Sequence, residues 1–350
     1  MWKKALVPWA MPELGKEVLR KAKVEIVPLH GPKGELPKGE ELIEAVRDVN
    51  VLISRAILPV PRKVIVANPN LWGISNYGVG FDNIDIGCAT ELGIPVTNTP
   101  EVLTETTADL AWTLLMATAR KIPQAHHFTI SGQWKGPVGE ALMGVDIGPG
   151  GSNRRKVLGI IGFGRIGRAV MRRSRGFKMR VVAFDPFLRK TIEGTKGVEY
   201  RELDDLLRES DFVTLHCPLT DQTHHLIGRR EFDLMKPTAI LINTSRGPVV
   251  DEKALVWALK EGKIKGAGLD VYEEEPRISP DLLQLDSVVL LPHIGSATED
   301  TRVQMAVTAA KNAVTLLRGR RPAQVVNPEV FESPAYLRKV REKGKASKGD

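Results

Sequence analysis

The chain has 350 residues, with 50 lysines and arginines against 42 aspartates and glutamates and a formal net charge of +8. Its 42% hydrophobic and 26% charged content is that of a globular chain, which argues against long disorder, and the length suits two domains of moderate size. Two cysteines, Cys88 and Cys217, exclude a four-thiolate metal site; no apolar run of about 18 residues offers a membrane span and no apolar signal core opens the chain, so a soluble cytoplasmic protein is expected.

In chain order, the first hundred residues alternate short apolar runs with amphipathic stretches. Strands are predicted at Lys4–Val7, Val24–Pro28, Val51–Ser54, Leu71–Asn76 and Ile94–Thr97. Helices are predicted at Leu14–Ala22 and Glu40–Val49, the second with Leu42, Ile43, Val46 and Val49 on one face. This alternation predicts a parallel sheet with crossover helices. Glu101–Arg120, after Thr99-Pro100, reads as a long helix with acids early and Arg120 late, as the helix dipole favours. Gly132–Arg155 is loop-rich, and Gly148-Pro149-Gly150-Gly151 is a strong breaker.

A second alternating series follows. Strands are predicted at Val157–Ile161, Arg180–Phe184, Phe212–His216, Ala239–Asn243, Gly266–Asp270 and Val288–Leu291. Helices are predicted at Arg165–Arg175, Glu202–Arg208, Arg230–Met235 and Glu252–Glu261. Six strands with helical crossovers make a dinucleotide-binding sheet. A helix from Glu299 to Arg318 leads to Asn327-Pro328. Past Pro334, Arg338, Lys339, Arg341, Lys343, Lys345 and Lys348 face only Glu342 and Asp350. This basic end is read as solvated or frayed rather than as a nucleic-acid-binding arm.

Gly162-Phe163-Gly164-Arg165-Ile166-Gly167 fits G-x-G-x-x-G, follows an apolar strand and opens a helix. Gly162 permits the tight turn, Gly164 lets the backbone approach a pyrophosphate and Gly167 lets helix and strand pack closely. The helix N-terminus offers free N–H groups to the phosphates. Asp185 ends the second strand, 21 residues past Gly164 and near the roughly 20 expected for the acid that binds the ribose hydroxyls. It would repel a 2′-phosphate, so NAD(H) is expected over NADP(H), although Arg189 stands close enough to blur the preference.

Three polar residues lie at or past the ends of late strands: Arg246, Glu275 and His293. Reducing a keto acid leaves negative charge on the carbonyl oxygen, so a proton donor titrating near neutrality is needed, and histidine fits. A carboxylate beside it fixes its tautomer. A guanidinium can grip a carboxylate and polarise the ketone. Each residue alone has an ordinary structural reading; their order and setting carry the weight.

With these motifs the chain resembles the D-isomer-specific 2-hydroxyacid dehydrogenases from about residue 45 to 328. Further matches are Gly78-Val79-Gly80-Phe81-Asp82-Asn83-Ile84-Asp85, the segment from Thr99 to Asp109, and His216-Cys217-Pro218-Leu219-Thr220. Within the family the Thr99–Asp109 and Gly176–Met179 segments are most similar to glyoxylate/hydroxypyruvate and 2-ketogluconate reductases. The resemblance implies an α/β fold of two doubly wound parallel sheets. A Rossmann cofactor domain over 100–295 would be inserted into a flavodoxin-like substrate domain of 1–99 and 296–331, with 332–350 a basic tail.

It also implies roles. His293 would be the general acid in reduction and base in oxidation, Glu275 its partner and Arg246 a substrate ligand. Val79 and Gly80 would offer backbone N–H groups to the substrate carboxylate, and Arg55 would face the substrate or be a surface arginine. Arg165 and Ile166 would line the pyrophosphate. Cys217, Pro218, Thr223, Thr244, Ser245, Asp270 and Gly295 would border the cofactor, with Arg246 and His293. The family's usual homodimer would use the long helix from Glu101 and the loop with Trp134. Trp134 itself is read as a packing residue, with a neighbour's active site as the alternative.

Three features depart from the family pattern. The loop Asp146–Lys156 is longer than usual, the tail is not a family feature, and many relatives of the reductase subgroup prefer NADP where this chain has Asp185. The expected reaction is NADH-dependent reduction of glyoxylate or hydroxypyruvate. The alternatives are another family substrate, such as 3-phosphoglycerate or 2-ketogluconate, and a dinucleotide-sensing corepressor of the same fold.

Overall fold

The computed structural model describes residues 3–31, 35–151 and 153–346; Ser152 of the long loop and Lys348 and Asp350 of the tail lie outside the described residues. The chain divides into two compact units, 1–103 with 297–350 and 104–296.

The first unit carries β1 (Lys3–Val7), β2 (Val24–Pro28), β3 (Val51–Leu52), β4 (Ile74–Ser75) and β5 (Val96–Thr97) in one parallel sheet, order β2-β1-β3-β4-β5. The chain steps outward from β1 to β2, then returns to β3 on the other side. Such a switch point leaves a crevice beyond the carboxyl ends of the two central strands. Helices Glu13–Lys21 and Glu299–Leu317 pack together on this sheet, and Gly15 comes close enough to Ala306 that a Cβ would lie 2.9 Å from its methyl. The strands after β2 are two residues long, shorter than the apolar runs that contain them. Only part of each run pairs; Ile53 and Leu71 stay buried in the core beyond the ladder.

The second unit carries β6 (Val157–Ile161), β7 (Arg180–Phe184), β8 (Glu199–Tyr200), β9 (Phe212–Leu215), β10 (Ile240–Asn243), β11 (Gly266–Leu269) and β12 (Val288–Leu290). All are parallel, in the order β12-β11-β10-β9-β6-β7-β8. Successive residues enter opposite cores, as the two-residue repeat of a strand requires. Leu158, Ile160, Phe212, Ile240 and Ile242 join one cluster, and Val157, Ile161, Val213, Leu215 and Leu241 the other. A sheet covered on both faces explains the unbroken apolar runs of these strands.

Four differences from the sequence reading have physical causes. The seventh strand, β8, is a two-residue edge with only ion-paired and half-exposed side chains, so it has no apolar pattern; Arg180 and Arg201 hold the Glu199 carboxyl down at about 2. The long helix starts at Thr104, because Glu101 adopts left-handed φ +77° after Pro100. Trp134 is 62% exposed, so it is not a packing residue within this chain. The basic end is helix Pro334–Ala346 rather than a frayed tail. Its Tyr336 is buried against Phe331, and its Lys339 donates to Leu71 O (3.1 Å) and Gly93 O (3.4 Å). Gly93, at φ +64°, makes room for it, since a Cβ there would overlap the Tyr336 backbone. Among the described residues no helix is long and apolar enough to cross a membrane.

Candidate active site

In the second unit the switch point falls between β6 and β9. The turn after β6 has Gly162 at φ +90°, where a Cβ would lie 2.5 Å from Cys217 N at the end of β9. A Cβ on Gly167 would overlap the Gly162 carbonyl oxygen, so this glycine lets the following helix, Arg165–Ser174, approach the strand. A Cβ on Gly164 would meet nothing within 4 Å: its backbone faces open space at the helix N-terminus. That N-terminus has no side-chain cap, so its first N–H groups and their dipole stay available for an anion. Arg165 is exposed beside it, and Ile166 packs inward on the apolar cluster.

Asp185, at the end of β7, is half-buried and fastened to this turn. One carboxylate oxygen accepts Phe163 N–H (3.0 Å); the other accepts Phe187 N–H (3.0 Å) and Leu188 N–H (3.1 Å). A carboxylate has about four acceptor sites, so capacity remains for a diol. Arg189 is engaged elsewhere. It pairs with Glu193 (2.9 Å) and Glu202 (3.4 Å), and its guanidinium lies 4.5 Å from the centre of the Tyr200 ring.

The loop after β9 folds on itself. The Thr223 hydroxyl donates to Pro218 O (2.6 Å) and accepts Thr220 N–H (2.8 Å), which spends it on loop geometry. The Cys217 thiol is buried, and burial pushes it up to about 12, so it is an apolar wall and no nucleophile. His216 meets the Thr214 hydroxyl at 2.9 Å, and burial pushes its imidazole down to about 3; it stays neutral and does not compete as a proton donor.

Past β10, buried Asn243 shapes the turn that carries Arg246. Its Oδ1 accepts from Ser245 N (3.0 Å) and Ser245 Oγ (2.9 Å), and its Nδ2 donates to Arg246 O (2.9 Å). Among the described residues buried Thr244 Oγ1 has no hydrogen-bond partner. A Cβ on Gly247 would overlap the Tyr272 carbonyl, so the Arg246 turn lies directly against the segment that leads to Glu275.

Glu275 and His293 meet. Glu275 Oε2 lies 2.7 Å from His293 Nδ1, and Oε1 accepts Tyr272 N–H (3.1 Å). With Nδ1 bound to a carboxylate, Nε2 is the nitrogen left for other chemistry. His293 sits at φ +54°, a strained position for a residue with a Cβ. Asp270, 1% exposed, holds that turn by accepting Ile294 N–H (2.7 Å) and Gly295 N–H (2.8 Å). Burial pushes its carboxyl up, while these N–H groups and His293 act the other way. The sequence reading set Asp270 beside the cofactor; both its oxygens serve the His293 turn.

The first unit has its own polar edge at its switch point. Arg55 follows β3, bridges Tyr77 along the backbone and is half-buried; burial and nearby Arg302 lower its guanidinium pKa. Thr99 N–H binds Gly78 O (2.9 Å), Asn98 Nδ2 binds Val79 O (2.8 Å) and Asn76 Nδ2 binds Gly80 O (2.7 Å). In a trans peptide the N–H points away from the carbonyl, so fixing Gly78 O and Val79 O turns the N–H groups of Val79 and Gly80 outward. Among the described residues neither N–H has an acceptor. Arg302 stands over Tyr77, 5.8 Å from its ring centre. Among the described residues neither guanidinium has a carboxylate partner.

The sequence reading had passed over Asn76, Asn98, Asn243 and Arg302. Asn243 carries a signal, as the one amide in the apolar run Ile240–Asn243; Asn76 closes the predicted strand Leu71–Asn76 and Asn98 follows Ile94–Thr97, and neither position marks a function in sequence.

The residues fit a nicotinamide dinucleotide. The space beyond Gly164, the uncapped helix end and the unpartnered Thr244 hydroxyl are features such a ligand would use. The family model for the D-isomer specific 2-hydroxyacid dehydrogenase NAD-binding domain matches residues 112–295. The chain is 48% identical over 335 residues to a glyoxylate reductase of Thermococcus kodakarensis, covering 94% of this chain and 97% of that one. It is 50% identical over 304 residues to a glyoxylate reductase of Korarchaeum cryptofilum, covering 86% and 90%. Among solved structures, an NADPH-dependent glyoxylate/hydroxypyruvate reductase of Sinorhizobium meliloti, in complex with NADP and malonate, superposes with TM-score 0.81 at 32% identity, covering 93% of this chain and 97% of that one. The chain therefore belongs to the D-isomer specific 2-hydroxyacid dehydrogenase family, as a nicotinamide-dinucleotide-dependent oxidoreductase of keto acids.

Proposed function

We propose that this chain reduces glyoxylate, and hydroxypyruvate beside it, with NADH, and that His293 supplies the proton. One observation carries the reading: His293 Nδ1 is 2.7 Å from Glu275 Oε2, in a turn held by Asp270 at the carboxyl end of a dinucleotide-binding sheet. When bound, the reduced nicotinamide supplies the hydride.

Charge then develops on the substrate's carbonyl oxygen, and His293 Nε2 gives it a proton. Glu275 accepts the Nδ1 hydrogen and stabilises the imidazolium that gives up this proton. Arg246 grips the substrate carboxylate and polarises the ketone. The outward N–H groups of Val79 and Gly80 take the carboxylate, and Arg55 adds charge. In oxidation His293 acts as the base.

Gly162, Gly164, Arg165, Ile166 and Gly167 would hold the pyrophosphate and Asp185 the ribose. The spare acceptor capacity of Asp185 and the engagement of Arg189 support NADH over NADPH, against the NADPH dependence of the Sinorhizobium relative. Glyoxylate heads the list because it is the substrate in the names of the Thermococcus and Korarchaeum relatives.

A cytoplasmic homodimer completes the proposal. Helix Ile122–Ile130 buries none of its residues, and Ile122, Ile130, Trp134, Val138 and Met143 expose over half of their surface, an apolar stretch that suits a second copy of this chain. Sedimentation measures the dimer. Steady-state kcat/KM over short 2-keto acids with NADH and NADPH tests the activity. Tight NADH binding without turnover of any of them overturns the enzymatic assignment in favour of a sensing role.

A further inference from the structure

We propose that His225 and Glu273 are a positioning pair that locks the Arg246 turn against the Glu275 segment. His225 reaches both. Its backbone N–H donates to Pro248 O (2.7 Å), two residues past Arg246. Its Nε2 pairs with Glu273 Oε1, two residues before Glu275. The contact continues on both sides. Glu273 Oε2 accepts Glu252 N–H (3.2 Å), Glu252 Oε2 accepts Glu273 N–H (3.3 Å), and Glu252 Oε1 accepts Ser279 N–H (3.1 Å). Ile227 N–H donates to Val249 O (3.1 Å), and Asp251 N–H returns to Ile227 O (3.0 Å).

Three loops, after β9, β10 and β11, are thus tied at one residue, His225, whose backbone N–H holds the Arg246 turn and whose imidazole holds Glu273. His225 pays for this with φ +52°, a left-handed conformation that a residue with a Cβ adopts only when its surroundings hold it. His224 stacks on it at 4.0 Å between ring centres. The pair is a poor source of stability. The side chains are 38% and 24% exposed, and partly exposed ion pairs contribute little. What it supplies is register. Gly247 lies against the Tyr272 carbonyl without room for a methyl, so a small slip of either loop alters where Arg246 and Glu275 point. Misplacing groups held at near-attack distance costs rate steeply.

The inference rests on the roles proposed for Arg246 and Glu275. The experiment compares the full-length protein with His225→Ala, Glu273→Ala, the double variant and His225→Gln, which keeps an N–H donor at similar reach. Each is measured for kcat and KM with glyoxylate, for NADH affinity by fluorescence, for oxalate affinity in the presence of NADH, and for Tm. For each single alanine variant kcat falls about tenfold, NADH affinity stays near wild type, and oxalate binds about tenfold more weakly. The double variant is no worse than either single one, and His225→Gln recovers most of the loss. Wild-type kcat and oxalate affinity in the single alanine variants overturn the proposal. So do losses that add in the double variant, or losses that follow Tm. Absence of glyoxylate turnover in the wild type overturns the substrate assignment alone, because oxalate binding still reads the pair.

Discussion

The two units share an architecture and differ in chemistry. Each is a parallel sheet with a switch point, and each presents polar groups beyond the carboxyl ends of its central strands. The second unit places a histidine on a carboxylate and an arginine turn against the same segment. The first offers two outward N–H groups and two guanidiniums, and no histidine lies among these groups. On the proposed roles the same fold would serve proton transfer in one unit and anion binding in the other, because side chains at strand ends, not the sheet, decide the chemistry. If this division holds, substitutions at His293 or Asp185 in the second unit strike kcat or cofactor choice, and those at the polar edge of the first strike KM.

The largest effect is expected at His293. Replacing it by glutamine removes the proton donor and keeps a group that can bond Glu275, so kcat with glyoxylate drops about a thousandfold while NADH binding persists. Near-normal turnover in stopped-flow reduction would remove His293 as the acid and end the division. Next is Asp185→Ala. The ratio of kcat/KM for NADH over NADPH falls about ten- to a hundredfold, the worth of a charge-assisted bond to the ribose together with lost repulsion of a 2′-phosphate. The ratio is the right measurement, because Asp185 also fastens Phe163 N–H and the substitution loosens the turn for both cofactors. An unchanged ratio shows that the ribose is read elsewhere.

Legibility in the sequence follows the same divide. The strands of the second unit are buried on both faces, so each apolar run coincides with its strand to within a residue; β8 escaped because Glu199 and Tyr200 have no such burial. In the first unit the runs overshoot two-residue strands, since residues such as Ile53 are buried without being paired. The glycine turn and the order of Arg246, Glu275 and His293 were readable because their chemistry demands those residue types. The turn supports were not. Asp270 resembled a cofactor ligand, and the His225–Glu273 pair joins residues 48 apart through side chains alone. The same blindness hid the last helix, where five basic residues, Lys339 among them, mask the burial of Tyr336 and Lys339.

A gentler test of the division is Arg55→Gln. Loss of one charge near the outward N–H groups raises KM for glyoxylate about tenfold with kcat within a factor of about two. A fall in kcat at constant KM would assign Arg55 to the transition state, as in the second unit. The half-buried position supports a sizeable effect, because a guanidinium there is less screened than on the surface.

The smallest kinetic effect is expected from the last helix, which belongs to the first unit but stands apart from its polar edge. Removing residues 334–350 exposes the pocket of Tyr336 and costs about 2–4 kcal/mol of stability, with kcat and KM unchanged below the new Tm. Lys339 supplies a sharper signature. Burial pushes its ammonium down to about 8 from an ordinary 10.5. Between those values the unfolded chain keeps the proton and the folded chain has released it, so unfolding takes up a proton and stability rises with pH. Below about pH 8 both states are charged and the full cost of burying the charge is present; above about 10.5 both are neutral and it is gone. Thermal melts from pH 7 to 11 therefore show wild type gaining on Lys339→Met across this window, whatever their order at pH 7. Parallel curves would mean that the ammonium stays solvated and that the carbonyls of Leu71 and Gly93 hold it without cost.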